Sequence, residues 1–102
     1  MKDPKTGLDN AIKTKIIRVI EALMPSVKIY LFGSRAAGKH QERSDIDIAL
    51  DAGKELALVD VGEIKNMLNE SNIPYQIDIV DIHAVSPQMK ANILTKGIPW
   101  KE

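Results

Sequence analysis

Two runs decide the architecture: Lys28-Ile29-Tyr30-Leu31-Phe32-Gly33-Ser34 and, after ten intervening residues, Asp45-Ile46-Asp47-Ile48-Ala49-Leu50. The first is a β-branched and aromatic run closed by Gly-Ser, the pattern of a short strand that ends in a turn. The second alternates carboxylate with aliphatic side chains, as a strand does when one face is polar and the other enters a core. Upstream, Ile12, Ile16, Val19, Ile20 and Leu23 recur at three- and four-residue steps and predict a helix that Pro25 ends. Downstream, Ala57, Val61, Ile64 and Leu68 predict a second long helix, with Gly62 as its weak point, and Asn69 to Pro74 breaks it. Tyr75 to Val80 then reads as a third strand. A last helix should run from an N-cap at Ser86, with Pro87 in its first turn, to a left-handed C-terminal residue at Gly97. Helices packed on a small mixed β-sheet, an α/β (α+β) fold, follow from that order.

No repeat, low-complexity tract or linker divides residues 1–102, so one domain is expected. The chain is 44% hydrophobic and 27% charged, with fourteen Lys+Arg against fourteen Asp+Glu. A balanced charge gives no global field for duplex nucleic acid, and four aromatics offer little for a primer groove, so a polymerase role ranks last. Absence of Cys excludes a disulfide framework and thiolate metal sites. Ile12 to Met24 is interrupted by Lys13, Lys15, Arg18 and Glu21, so it is neither a signal-peptide core nor a membrane span, and a cytoplasmic protein is expected. Met24, Met67, Met89 and Trp100 read as packing residues.

Transfer of a phosphoryl group needs a cradle for phosphates and carboxylates that hold Mg²⁺ against them. Gly33 permits close backbone approach, Ser34 offers a hydroxyl and an amide, and Arg35 adds a candidate charged clamp. Read alone, Gly-Ser after a strand is an ordinary turn. Asp45 and Asp47 should project from one face of a strand and could hold a hard cation; the alternative is the solvated face of an edge strand. Asp78 lies within the apolar run Ile77-Asp78-Ile79-Val80, where an ionised group needs a partner, and a third metal ligand would explain it. Asp51 and Asp81 read as turn residues outside the site, and Lys39, His40 and Arg43 as loop residues.

In combination, Leu31-Phe32-Gly33-Ser34-Arg35-Ala36-Ala37-Gly38, Ser44-Asp45-Ile46-Asp47-Ile48 and Ile77-Asp78-Ile79-Val80 resemble the minimal nucleotidyltransferases of the DNA polymerase beta superfamily, in their antitoxin-type branch. The resemblance covers most of the chain. It implies a triphosphate-binding turn at Gly33 and Ser34, metal ligands at Asp45, Asp47 and Asp78, and two Mg²⁺ ions in the transfer of a nucleoside monophosphate. Asp78 would also assist deprotonation of the acceptor. Ala37 stands where relatives carry a second Arg, which thins the basic clamp. By the same analogy the donor is ATP and the acceptor a Tyr hydroxyl of a partner HEPN-domain toxin. A different class of function, a non-catalytic module that masks its partner by surface contact, is the alternative.

Overall fold

The structure is a computed structural model that describes residues 2–102. Along the chain run α1 (Asn10–Leu23), β1 (Lys28–Phe32), α2 (Gly33–Ala36), β2 (Ile46–Asp51), α3 (Leu58–Glu70), β3 (Ile77–Asp81), α4 (Pro87–Lys96) and β4 (Ile98–Lys101). They form a four-stranded mixed sheet of order β3-β2-β1-β4, in which β2 and β3 are parallel and β1 is antiparallel to both its neighbours. Both expected strands of the opening stretch are present, and the expected turn between them contains a single helical turn, α2.

Alternation of side chains sorts the strands onto two faces. Ile29 and Leu31 of β1, Ile46, Ile48 and Leu50 of β2, and Ile77 and Ile79 of β3 enter the larger core with Ile16 and Ile20 of α1 and Ile64 and Leu68 of α3. The opposite face carries Tyr30, Phe32, Ala49 and Val80, which pack with Ile93 and Met89 of α4. One helix cannot cover that whole face. Asp47 and Asp78, which lie on it, are only partly buried.

Helix α3 also finishes the β3 edge. The Asn69 side-chain amide donates to the Ile77 carbonyl (2.9 Å) and accepts from the Ile77 amide (3.0 Å), so both free groups of that edge residue are satisfied by a side chain. Ser86 caps α4 as expected, accepting from the Met89 amide at 3.2 Å with Pro87 as the first helical residue.

Four expectations need correction. Gly97 is not left-handed but extended, with φ −70°. Glycine is needed there because a β-carbon would collide with the Ile93 carbonyl and crowd that of Leu31, where the chain turns directly from α4 into β4. β4 itself has no counterpart in the expected element order; its four residues include Pro99, a residue suited to an edge strand. Asp51 and Asp81 are the last residues of β2 and β3 rather than loop residues. Met67 is 41% exposed and packs little, whereas Trp100 lies against the larger core with the Lys13 ammonium 5.7 Å from its ring. No helix among the described residues is long and apolar enough to cross a membrane.

Candidate active site

Register brings the carboxylates together. Asp47 of β2 pairs with Asp78 of the parallel β3, so the two side chains stand side by side on the face that α4 leaves open. Asp45, exposed just before β2, is two residues from Asp47 and so shares its face. On the other side, Phe32 of β1 pairs with Asp47, which sets the following turn directly over that carboxylate. Gly33 has φ +78°, and a β-carbon there would run into the Asp47 Oδ2 atom. Glycine is thus required twice, by its conformation and by the approach of the backbone to Asp47.

Electrostatics at this point are unfavourable in the isolated chain. Burial, reinforced by the charges of Asp78 and then Asp45, pushes the Asp47 carboxyl above its ordinary value. Among the described residues neither Asp45 nor Asp47 accepts a side-chain hydrogen bond. Asp78 has one ion pair, to the Lys65 Nζ atom at 3.1 Å; the two side chains are 43% and 47% exposed, so the pair is water-screened and open to exchange. Lys65 reaches around the β3 edge from α3. Its pattern position, one residue after Ile64 on a helical face, gave no sign of that.

Ser34 follows Gly33 in the single turn of α2, half-buried and without a side-chain partner among the described residues. First-turn amides have no acceptor within their own helix, so Gly33 and Ser34 together present unengaged donors next to the carboxylates. Such donors suit phosphate oxygens, and clustered carboxylate oxygens suit a hard divalent cation. Asp45, Asp47 and Asp78 fit such an ion in chemistry, and the mutual repulsion that raises Asp47 is relieved by a bound cation. Among the described residues no three such side chains already converge on one ion position.

Arg35 is turned away from this opening. It is 1% exposed, and its guanidinium donates to the carbonyls of Thr6 (2.8 Å), Glu42 (3.0 Å) and Ser44 (3.0 Å). The Tyr75 ring lies against it, 4.6 Å from the guanidinium carbon. The expected phosphate clamp is therefore a buried tie between loops, because each of the three guanidinium nitrogens donates to a backbone carbonyl. Lys39 and Arg43 are exposed loop residues as expected, while His40 is half-buried against Gly7. Beside Asp45, an open hollow of about 570 Å³ is bounded by Glu42, Arg43 and Pro74 to Gln76.

A turn with free donors set against paired strand carboxylates is the arrangement that nucleotidyl transfer needs, and the polymerase beta nucleotidyltransferase family model matches residues 14–100. The chain belongs to that family. Within it, the chain is similar to the protein adenylyltransferase MntA of Shewanella oneidensis, at 33% identity over 86 residues, covering 83% of this chain and 61% of that protein. Its match to an MntA relative from Haemophilus influenzae spans 55% of that protein's length. A solved toxin-antitoxin structure with AMP-PNP superposes with a TM-score of 0.75 at 31% identity, over 86% of this chain and 71% of the other. A Shewanella oneidensis MNT antitoxin, in complex with a tri-AMPylated HEPN toxin, superposes with a TM-score of 0.73 at 28% identity, over 91% of this chain and 71% of that one.

Proposed function

We propose that this chain is a Mg²⁺-dependent adenylyltransferase that moves AMP from ATP onto a Tyr hydroxyl of a HEPN-domain partner protein, and so acts as an antitoxin. The observation that carries this is the register pairing of Asp47 with Asp78 beneath the Gly33-Ser34 turn. The AMP-PNP and AMPylated-toxin complexes of related antitoxins support the choice of donor and acceptor.

In this reading Ser34 and the amides of its turn bind the β- and γ-phosphate oxygens, which fixes the direction in which pyrophosphate leaves. Asp45 and Asp47, with help from Asp78, would hold two Mg²⁺ ions, which when bound would supply charge neutralisation to the triphosphate. Asp78, on the edge strand, lies on the side from which an acceptor can approach, and it takes the hydroxyl proton as the oxygen attacks the α-phosphorus. One P–O bond to the acceptor forms, the α–β anhydride bond breaks, and pyrophosphate departs. Lys65 must release Asp78 before this step, and a half-exposed ion pair opposes that release only weakly.

ATP labelled at the α-phosphate, MgCl₂ and the HEPN-domain partner provide the test. Label should appear on the partner, on Tyr, and disappear when Mg²⁺ is chelated. Label on no acceptor, or label that survives chelation, would sink the proposal.

A further inference from the structure

Arg35 stands at the meeting point of three segments that each lead to a proposed site residue. It directly follows Ser34 in α2. Its Nε atom donates to the carbonyl of Ser44, the residue before Asp45, and its NH2 atom donates to Glu42 in the same loop. Its face stacks on Tyr75, and the neighbouring Gln76 carbonyl accepts from the Ile46 amide at 2.9 Å, locking the start of β2 to the segment that leads to Asp78. The NH1 atom adds the N-terminal segment through Thr6.

Among the described residues this buried cation has no carboxylate partner; carbonyl dipoles and an aromatic face are its only compensation. A guanidinium buried without a counter-ion is an expensive way to satisfy three carbonyls, because its charge is taken out of water with no opposite charge beside it. What a planar fork supplies, and an apolar group or an ammonium does not, is fixed direction: three divergent donors and a stacking face in one rigid plane.

We propose that Arg35 is a positioning residue, which sets the Ser34 turn and Asp45 at a fixed separation so that the phosphates held by one meet the metal held by the other. The inference rests on the transferase reading above. A small error in that separation still lets nucleotide bind through either group alone, but spoils the alignment on which reaction depends.

Arg35→Lys tests it, with Arg35→Gln in its place should the lysine variant not fold. Melting curves first establish that the variant is folded at the assay temperature. Steady-state transfer to the partner should then show kcat lowered by about a hundredfold, the scale of a misplacement near 1 Å, with KM for MgATP changed far less. Amide exchange of the metal-free chain gives a readout independent of catalysis: amides within 37–46 should exchange faster in the variant, while those of β1 and β2 centres do not. A folded variant with wild-type kcat, a loss that rises equally in KM, or unchanged exchange across 37–46 overturns the role of Arg35. Failure of the wild-type chain to transfer AMP, with exchange altered as expected, overturns the function and leaves Arg35 as the organiser of this loop.

Discussion

Strand β2 carries an aspartate near each end of the same face, and the two are treated in opposite ways. At its end, Asp51 accepts from the Gly53 amide at 2.8 Å and from the His83 Nε2 atom at 2.7 Å. Burial alone would raise its carboxyl, but those bonds, with the charges of His83 and Lys28, hold it below its ordinary value. Asp81, at the matching end of β3, is buried and accepts from the amides of Leu56 (2.6 Å) and His83 (2.9 Å). Four residues earlier, Asp47 has carboxylates for neighbours and a raised pKa. Carboxylates at one end are finished by hydrogen bonds within the fold; at the other, Asp78 has only a water-screened lysine and Asp47 faces further carboxylates. Unrelieved repulsion of this kind supports the proposal that the Asp47 end is a site and the Asp51 end is not.

Substitution should separate the two ends most sharply in activity. Asp45→Asn or Asp47→Asn, which removes a charge with little change in size, should lower AMP transfer by about 10³-fold, the scale of losing a group that stabilises transition-state charge. Asp51→Asn, on the same strand, should leave the rate per folded molecule unchanged. Labelled-ATP assays on the variants decide this, and an active Asp47→Asn protein would erase the distinction between the ends.

Stability should separate them in the reverse sense. Asp81→Ala strands two amides that a buried carboxylate now satisfies, and it should cost about 2 kcal/mol in unfolding free energy. For a chain of this size that corresponds to a melting decrease of about 10 °C. Calorimetric melting checks it. A variant that melts with wild type would mean that water replaces Asp81 at no penalty, and the strand ends would then owe nothing to their aspartates.

Much of this contrast was legible in the sequence. By sequence Asp51 and Asp81 read as turn residues, and each does bond an amide two residues ahead, the local habit of aspartate at a turn. Their places as the last strand residues were not legible, because strand and turn share those positions. Asp45, Asp47, Asp78, Gly33 and Ser34 could be proposed from alternation and order alone, and the parallel register then brings Asp47 beside Asp78. Arg35 could not be read correctly: its partner Thr6 is 29 residues away, and nothing in a local pattern tells a buried guanidinium from an exposed one. Lys65 and Asn69 were missed for a similar reason, since both act around the edge of a strand whose place in the sheet the sequence does not state. β4 was missed because four residues with a central proline carry no alternation to detect.

The smallest effect, and the one that tests the repulsion itself, is the stability of the metal-free protein. Asp47 has a raised pKa in the folded state, so the native chain binds more protons than the unfolded one between the ordinary carboxylate value of 3.8 and that raised value. Its contribution to stability therefore falls as pH rises through this window and is gone above the folded pKa. Asp51, lowered from 3.8, behaves in the opposite way: its contribution is present above 3.8 and is lost as pH falls through its folded value. Metal-free Asp47→Asn should accordingly melt at or slightly above wild type near neutral pH and lose that advantage on acidification, whereas Asp51→Asn should melt below wild type near neutral pH and converge with it in acid. Mg²⁺ with AMP-PNP should reverse the first order, because a ligand bound only by the folded state adds about 2.7 kcal/mol at a hundredfold excess over its Kd. Wild type would gain that increment and Asp47→Asn would not. Should Asp47→Asn melt well below wild type without metal, and wild type ignore Mg²⁺ and nucleotide, both ends of β2 would be structural and the proposed transferase site would lose its physical basis.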